Sequence, residues 1–310
     1  MSTVLNVNIG GLHLKNPVMP ASGAFDWFGE EPAGLPVERL GAVVTKSITL
    51  APQPGNPPQR VAETPSGMLN TIGIPSVGLE AFLEEALPKY RGLEMAVIVS
   101  IQAYSPEECE VMAARLDREP RVDAVEINLS CPNLEHGQIT AQSARLSMET
   151  VAAARGATGL PLIAKLSPNV SNVREIARAA EEGGADALCL INTLKGMAID
   201  AGTRRVLLGH VSGGLSGPAI KPVALYMVWE CYGEVEIPII GAGGISTAQD
   251  AVEFMLAGAS AVQVGTATFR DSRTMWRLIE DLEVYLERED MKSVEELTGL
   301  CHREGSLYAG

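Results

Sequence analysis

Residues 161–192, PLIAKLSPNVSNVREIARAAEEGGADALCLIN, hold one complete strand–helix–strand unit. PLIAKLS (161–167) and DALCLIN (186–192) are short apolar runs. Between them NVREIARAAEEGGA (172–185) carries helical periodicity and closes with glycine just past its last apolar turn. Strands this apolar do not suit a sheet with one face in water, so both faces should be covered, as in a parallel α/β sheet. The unit recurs along the chain. PVMPAS (17–22), AVVTKS (42–47), MAVIVSI (95–101), DAVEINLS (123–130), IPIIGAGG (237–244) and SAVQVGTA (260–267) complete a set of strand-like runs, separated by helical stretches such as PEECEVMAARLD and TAQDAVEFMLAGA. Eight β-then-α units in order predict a (β/α)8 TIM barrel, taken here as one domain over 1–310. A doubly wound open sheet is the alternative that periodicity leaves open. Ahead of the barrel, VLNVNIGGLHL reads as a β-hairpin turning at Gly10-Gly11.

Composition narrows the function. The chain has 310 residues, 46% of them apolar, enough for one large core. Its formal charge of −14 argues against a nucleic-acid partner, which would need clustered Lys and Arg. No signal peptide or membrane anchor is expected from the sequence. Five cysteines (Cys109, Cys131, Cys189, Cys231, Cys301) are scattered without a CxxC pair, which supports neither a disulfide framework nor a metal or iron–sulfur site. A reducing cytoplasm is the expected compartment.

Barrel chemistry sits at the C-terminal ends of the strands. Two connections on that face, 47–94 and 192–236, exceed a plain crossover and should act as lids or binding loops. Gly243-Gly244 and Gly265-Thr266 end the last two strands and precede helices, the usual barrel position for a phosphate. Lys46 and Lys165 are each the only charge in an apolar run, so each ammonium should be paired or aimed at a ligand. Two such lysines around one barrel mouth point to an anionic or electron-rich group. Cys131 follows the fourth strand in a Ser-Cys-Pro-Asn turn on the same face. Residue type alone makes a cysteine a small buried hydrophobe, the reading given to the other four; position singles out Cys131.

NPVMPASGAF, TKSIT, GMLNTIGIP, INLSCPN, KLSPNV, INTLKGMAID, GGLSGPAIKPVAL, PIIGAGGI and GASAVQVGTA occur in that order over nearly the whole chain. As a set they resemble the dihydroorotate dehydrogenases, flavoproteins of pyrimidine biosynthesis. Cysteine in SCPN resembles the class 1 enzymes, and GMLNTIGIP and GGLSGPAIKPVAL resemble the class 1B catalytic subunit. The resemblance implies that Cys131 is the base removing the C5 proton of (S)-dihydroorotate while C6 delivers a hydride to flavin N5. It implies that Lys46, Asn70, Thr71, Ile72, Gly73, Ile74, Asn128, Asn192 and Thr193 hold the substrate. One FMN per chain would be held by Ser22, Lys46, Ser47, Ser100, Asn128, Lys165, Ile191, Gly217, Gly243, Gly244, Gly265 and Thr266. Electrons would pass to NAD+ through a partner subunit carrying FAD and a [2Fe–2S] cluster, in a heterotetramer built on a homodimer of catalytic chains. No metal site is implied.

The chain departs from the family pattern twice. VSIQA places Ser100 and Gln102 where the family has the Asn of ANVAG, which implies a shorter reach toward FMN. GQITAQS (137–143) replaces a Gly-x-x-Phe-Gly-like segment, which implies a lid that closes differently. Two enzyme alternatives follow, a fumarate-dependent class 1A-like dehydrogenase and a related dihydropyrimidine oxidoreductase. A non-catalytic phosphate- or flavin-binding barrel is the alternative of another class.

Overall fold

The computed structural model describes residues 4–25, 36–130 and 140–303. All eight strand-like runs form strands: Val18–Pro20, Ala42–Val44, Ala96–Ile101, Ala124–Asn128, Leu162–Lys165, Ala187–Leu190, Ile239–Ala242 and Ala259–Val264. Each pairs in parallel with its sequence neighbour from the second strand to the eighth, and the eighth pairs with the first. The amide of Gly41 donates to the carbonyl of Val18 at 2.9 Å, which joins the second strand back to the first. That closure decides for the barrel over the open sheet. The fifth, sixth and seventh strands are buried at every position, as their unbroken apolar runs demand.

Local chemistry sets where the outer helices begin. Ser105 caps Pro106–Leu116, its side chain accepting from the Glu108 amide, and proline sits in the first turn where its missing N–H costs nothing. Ser143 and Asn172 cap Ala144–Ala157 and Val173–Glu182 in the same way. Thr247 and Asp250 form a reciprocal capping box on Ala248–Leu256. The strands Val7–Ile9 and Leu12–Leu14 make the expected N-terminal hairpin, which lies against the far end of the barrel: a Cβ on Gly10 would stand 2.3 Å from the Asp186 carbonyl oxygen.

The two long connections are more ordered than loops. Val61–Thr64 and Gly67–Asn70 form one hairpin, and Leu194–Gly196 pairs with Gly213–Ser216. Asn70 then pairs with Gly214, which joins both into a four-stranded antiparallel sheet. Ala62, Leu69 and Leu208 give this sheet a small core of its own. It forms a roof beside the barrel mouth.

Candidate active site

A cavity of about 430 Å³ lies between the barrel mouth and the roof. Of the side chains expected to bind substrate, Lys46, Asn70, Thr71, Ile72, Gly73, Ile74, Asn128, Asn192 and Thr193 all line it. Ser22, Ser47 and Lys165 of the expected flavin set line it too. Three lysines (Lys46, Lys165, Lys195) and His210 border the cavity while, among the described residues, no Asp or Glu does, in a chain of formal charge −14. Such a pocket favours an anionic guest. Cys131 and the first part of the GQITAQS segment lie outside the described residues. A second depression, about 380 Å³, opens at the N-terminal ends of the strands beside Gly10, Gly11 and Pro238, away from these groups.

The asparagines are held in one orientation. Asn128 Oδ1 accepts from the Ser130 amide at 3.2 Å, from Ser130 Oγ at 2.7 Å and from Asn192 Nδ2 at 3.2 Å. Asn192 Nδ2 also donates to Ser130 Oγ at 2.5 Å, and Asn192 Oδ1 accepts from the Thr193 amide at 2.7 Å. With its oxygen engaged three times, Asn128 turns its NH2 group, two donors, toward the cavity. Across the pocket, Asn70 Nδ2 donates to the Gly214 carbonyl at 3.3 Å, which fixes Asn70 to the opposite roof strand.

Lys46 extends across Gly23. A Cβ there would lie 2.5 Å from Lys46 Cδ, and Gly23 has a φ of 72°, so glycine is required on both counts.

Lys165 belongs to a buried polar network. Its Nζ donates to Gln263 Oε1 at 2.7 Å and stands 3.6 Å from Glu126 Oε1. Gln263 Nε2 donates to Glu126 Oε2 at 2.6 Å, and Ser100 Oγ donates to Glu126 Oε1 at 3.0 Å. Burial alone would lower the Lys165 pKa, but the neighbouring Cys189 and Glu126 outweigh it and hold it above its ordinary value. The Cys189 thiol is itself pushed up to about 12 by burial, so at neutral pH it carries no charge and Glu126 is the effective counter-ion. Lys165 is therefore both of the things the sequence allowed: paired below, and open to the cavity above.

Ser100 is fully buried and does not line the cavity. It lies behind Ser47, whose Oγ is 2.9 Å from its own, and Ser47 Oγ is 3.2 Å from Ser22 Oγ. Ser100 spends its proton on Glu126, so Ser47 donates to Ser100 and Ser22 to Ser47. The three hydroxyl hydrogens run inward, and Ser22 offers the cavity lone pairs. Ser100 thus meets Ser47 and Glu126 and not the cavity lining.

The remaining flavin candidates gather beside the cavity around Gly217. A Cβ on Gly244 would meet the Gly217 carbonyl at 2.9 Å, one on Gly217 would meet Thr266 Cγ2 at 3.4 Å, and one on Gly243 would meet Ile191 Cγ1 at 3.3 Å. Thr266 Oγ1 donates to Ser216 Oγ at 2.8 Å. Gly265, the chain neighbour of Thr266, packs beside Ala21: a Cβ there would lie 3.5 Å from the Ala21 methyl. The helix N-terminus at Thr247 is already occupied: Asp250 Oδ2 accepts from the amides and hydroxyls of Ser246 and Thr247, each at 2.9 Å. Burial would raise the Asp250 carboxyl, but hydrogen bonds from Lys221, Ser246 and Thr247 bring it down to about 2. An anion here would depend on the glycine amides. Among the described residues, those of Gly243 and Gly244 donate to no protein acceptor. These amides, with the two lysines, fit the phosphate and ring of FMN.

Sequence reading missed Glu126, Gln263, Ser130, Asn169, Lys195 and His210. The first two carried a usable signal: Glu126 is the lone charge in AVEIN and Gln263 the lone strongly polar group in AVQV, the criterion that singled out the lysines. Asn169 joins the fifth-strand loop to the roof by donating to the Thr193 carbonyl at 3.0 Å and accepting from the Lys195 amide at 2.8 Å.

A family model described as dihydroorotate dehydrogenase matches residues 4–286. The chain is 50% identical over 296 residues, 95% of its own length and 97% of the relative's, to "Dihydroorotate dehydrogenase B (NAD(+)), catalytic subunit" of Geotalea uraniireducens. A protein of the same name from Desulforudis audaxviator is 49% identical over 96% of this chain and 98% of its own. Among solved structures, a dihydroorotate dehydrogenase from Eimeria tenella in complex with ferulenol matches with a TM-score of 0.79 at 27% identity, covering 96% of this chain and 89% of that one.

Proposed function

The chain belongs to the dihydroorotate dehydrogenase family, and from that premise we propose that it is the FMN-containing catalytic subunit of an NAD+-linked enzyme oxidising (S)-dihydroorotate to orotate in pyrimidine biosynthesis. One observation carries the reading: Lys46, Asn70, Asn128, Lys165 and Asn192, from five separate segments, converge on one cavity that no Asp or Glu borders among the described residues. Orotate and dihydroorotate are small carboxylates with ring carbonyls, and this is a lining of donors and cations.

When bound, FMN supplies the acceptor for the hydride that leaves C6 of the substrate. Lys46 supplies positive charge at the carboxylate, and the Asn128 NH2 group donates to the substrate ring. Asn192 and Ser130 lock that asparagine, so no donor has to reorient as the ring flattens. Cys131 takes the C5 proton; near its ordinary pKa of about 8.5 a thiol is mostly protonated at neutral pH, so turnover rises with pH until the thiolate dominates. Gly217, Gly243, Gly244, Gly265 and Thr266 would hold the ribityl phosphate, with Ile191 beside them, and Ser22, Ser47 and Lys165 would bind the flavin ring.

Electrons leave through a partner subunit that carries FAD and a [2Fe–2S] cluster, in an assembly built on a homodimer of these chains in the cytoplasm. The chain serves as one barrel domain over 1–310. A relative named as a catalytic subunit supports the existence of such a partner. The deciding experiment is anaerobic addition of L-dihydroorotate to the purified yellow protein. Bleaching of the flavin band supports the reading, and a band that stays oxidised refutes it.

A further inference from the structure

Lys165 faces the cavity from in front of a carboxylate that does not. Glu126 is fully buried behind it, at 3.6 Å, and no part of Glu126 borders the pocket. Gln263 locks the two together, its oxygen accepting from Lys165 at 2.7 Å and its amide donating to Glu126 at 2.6 Å. The pocket therefore meets the positive end of a compensated pair, not a lone ammonium. Ser100 sets how complete the compensation is, because its hydroxyl donates to the same Glu126 oxygen that faces Lys165. Each donor that draws on the carboxylate weakens its hold on the field of Lys165.

We propose that Glu126 is a positioning residue that fixes Lys165 through Gln263 and sets the reduction potential of the flavin by partly cancelling the lysine's charge, with Ser100 trimming that cancellation. The inference rests on the FMN reading above. A ring that gains two electrons beside Lys165 becomes more negative, and buried charges act on it with little screening. Removing the carboxylate's charge while keeping its shape exposes the full ammonium and favours the reduced ring. Removing the Ser100 hydroxyl leaves the carboxylate stronger and disfavours it.

The test is dye-coupled reductive titration of the FMN-loaded protein and of Glu126→Gln and Ser100→Ala, at about pH 6, where an ammonium keeps its proton even if its pKa falls by several units. Glu126→Gln should raise the potential by at least a tenfold change in the two-electron equilibrium constant, about 30 mV. Ser100→Ala should shift it the other way by a smaller amount, and Glu126→Asp should restore it toward the wild-type value. General loosening of the core has no reason to move the two variants in opposite directions. Equal-sign shifts, or an unchanged potential with FMN bound, overturn the proposal. Should Glu126→Gln fail to fold, Ser100→Ala decides alone: a negative shift supports the proposal, and none or a positive one overturns it. Wild-type protein that binds no FMN would instead refute the FMN reading.

Discussion

Asn192 stands 64 positions after Asn128 in the chain, yet its Nδ2 donates to Asn128 Oδ1 at 3.2 Å across the intervening fifth strand. The contact turns a flexible amide into a fixed pair of donors. Asn128→Asp would set an acceptor in their place, facing an anionic guest. Orotate affinity should fall about 100-fold, roughly 2.7 kcal/mol. Titration calorimetry on the flavin-loaded protein reads this directly, and an unchanged dissociation constant would remove Asn128 from the binding set.

Gly23→Ala probes Lys46 without touching it. The new methyl would stand 2.5 Å from Lys46 Cδ, at a φ of 72° that a side chain rarely adopts. The expected result is a loss of about 1–2 kcal/mol in unfolding free energy. A larger relative loss should appear in orotate affinity, since Lys46 must leave its path. A variant that unfolds earlier but binds orotate normally would show that the crossing is structural only.

Thiol chemistry separates the cysteines. Burial pushes Cys109, Cys189 and Cys231 up to about 12, so they stay unreactive in the native protein. Iodoacetamide at about pH 8 should leave all three unlabelled until the protein is unfolded. Cys131 should label and be shielded by orotate. Cys131→Ala should keep FMN while slowing its bleaching by dihydroorotate about 10²–10⁴-fold. Unchanged bleaching would discard the base assignment.

Acid stability depends on Asp250. Its folded pKa, about 2, lies below the ordinary 3.8, so its contribution is complete above 3.8 and disappears as pH falls through 2. Asp250→Asn should cost about 2 kcal/mol near neutral pH and flatten the fall in melting temperature over that acid window. Melting curves of both proteins across the window test this. A variant with the wild-type acid slope would place the stabilising charge elsewhere.

The barrel was legible because its strands are mostly apolar runs and several outer helices start on a Ser, Asn or Thr cap. The roof was not. Val61–Thr64 alternates weakly, Gly213–Ser216 is half-buried throughout, and their pairing links segments with no local cue to one another. Lys46 and Lys165 were found because a lone cation in an apolar run is costly. Glu126, the lone charge in AVEIN, meets the same criterion. For Ser100 the side-chain length was readable from sequence, but the carboxylate it would meet was not.

The bond from Asn70 Nδ2 to the Gly214 carbonyl spans 144 positions. On a ribosome adding about 5–20 residues per second, the first roof hairpin waits roughly 7–30 s for its partner strand to emerge. The pocket thus cannot be completed while only the first half of the barrel has been made. Cofactor uptake should fall late in synthesis: a chain stalled just before residue 213 would have made six of the eight barrel strands and have no roofed site to load.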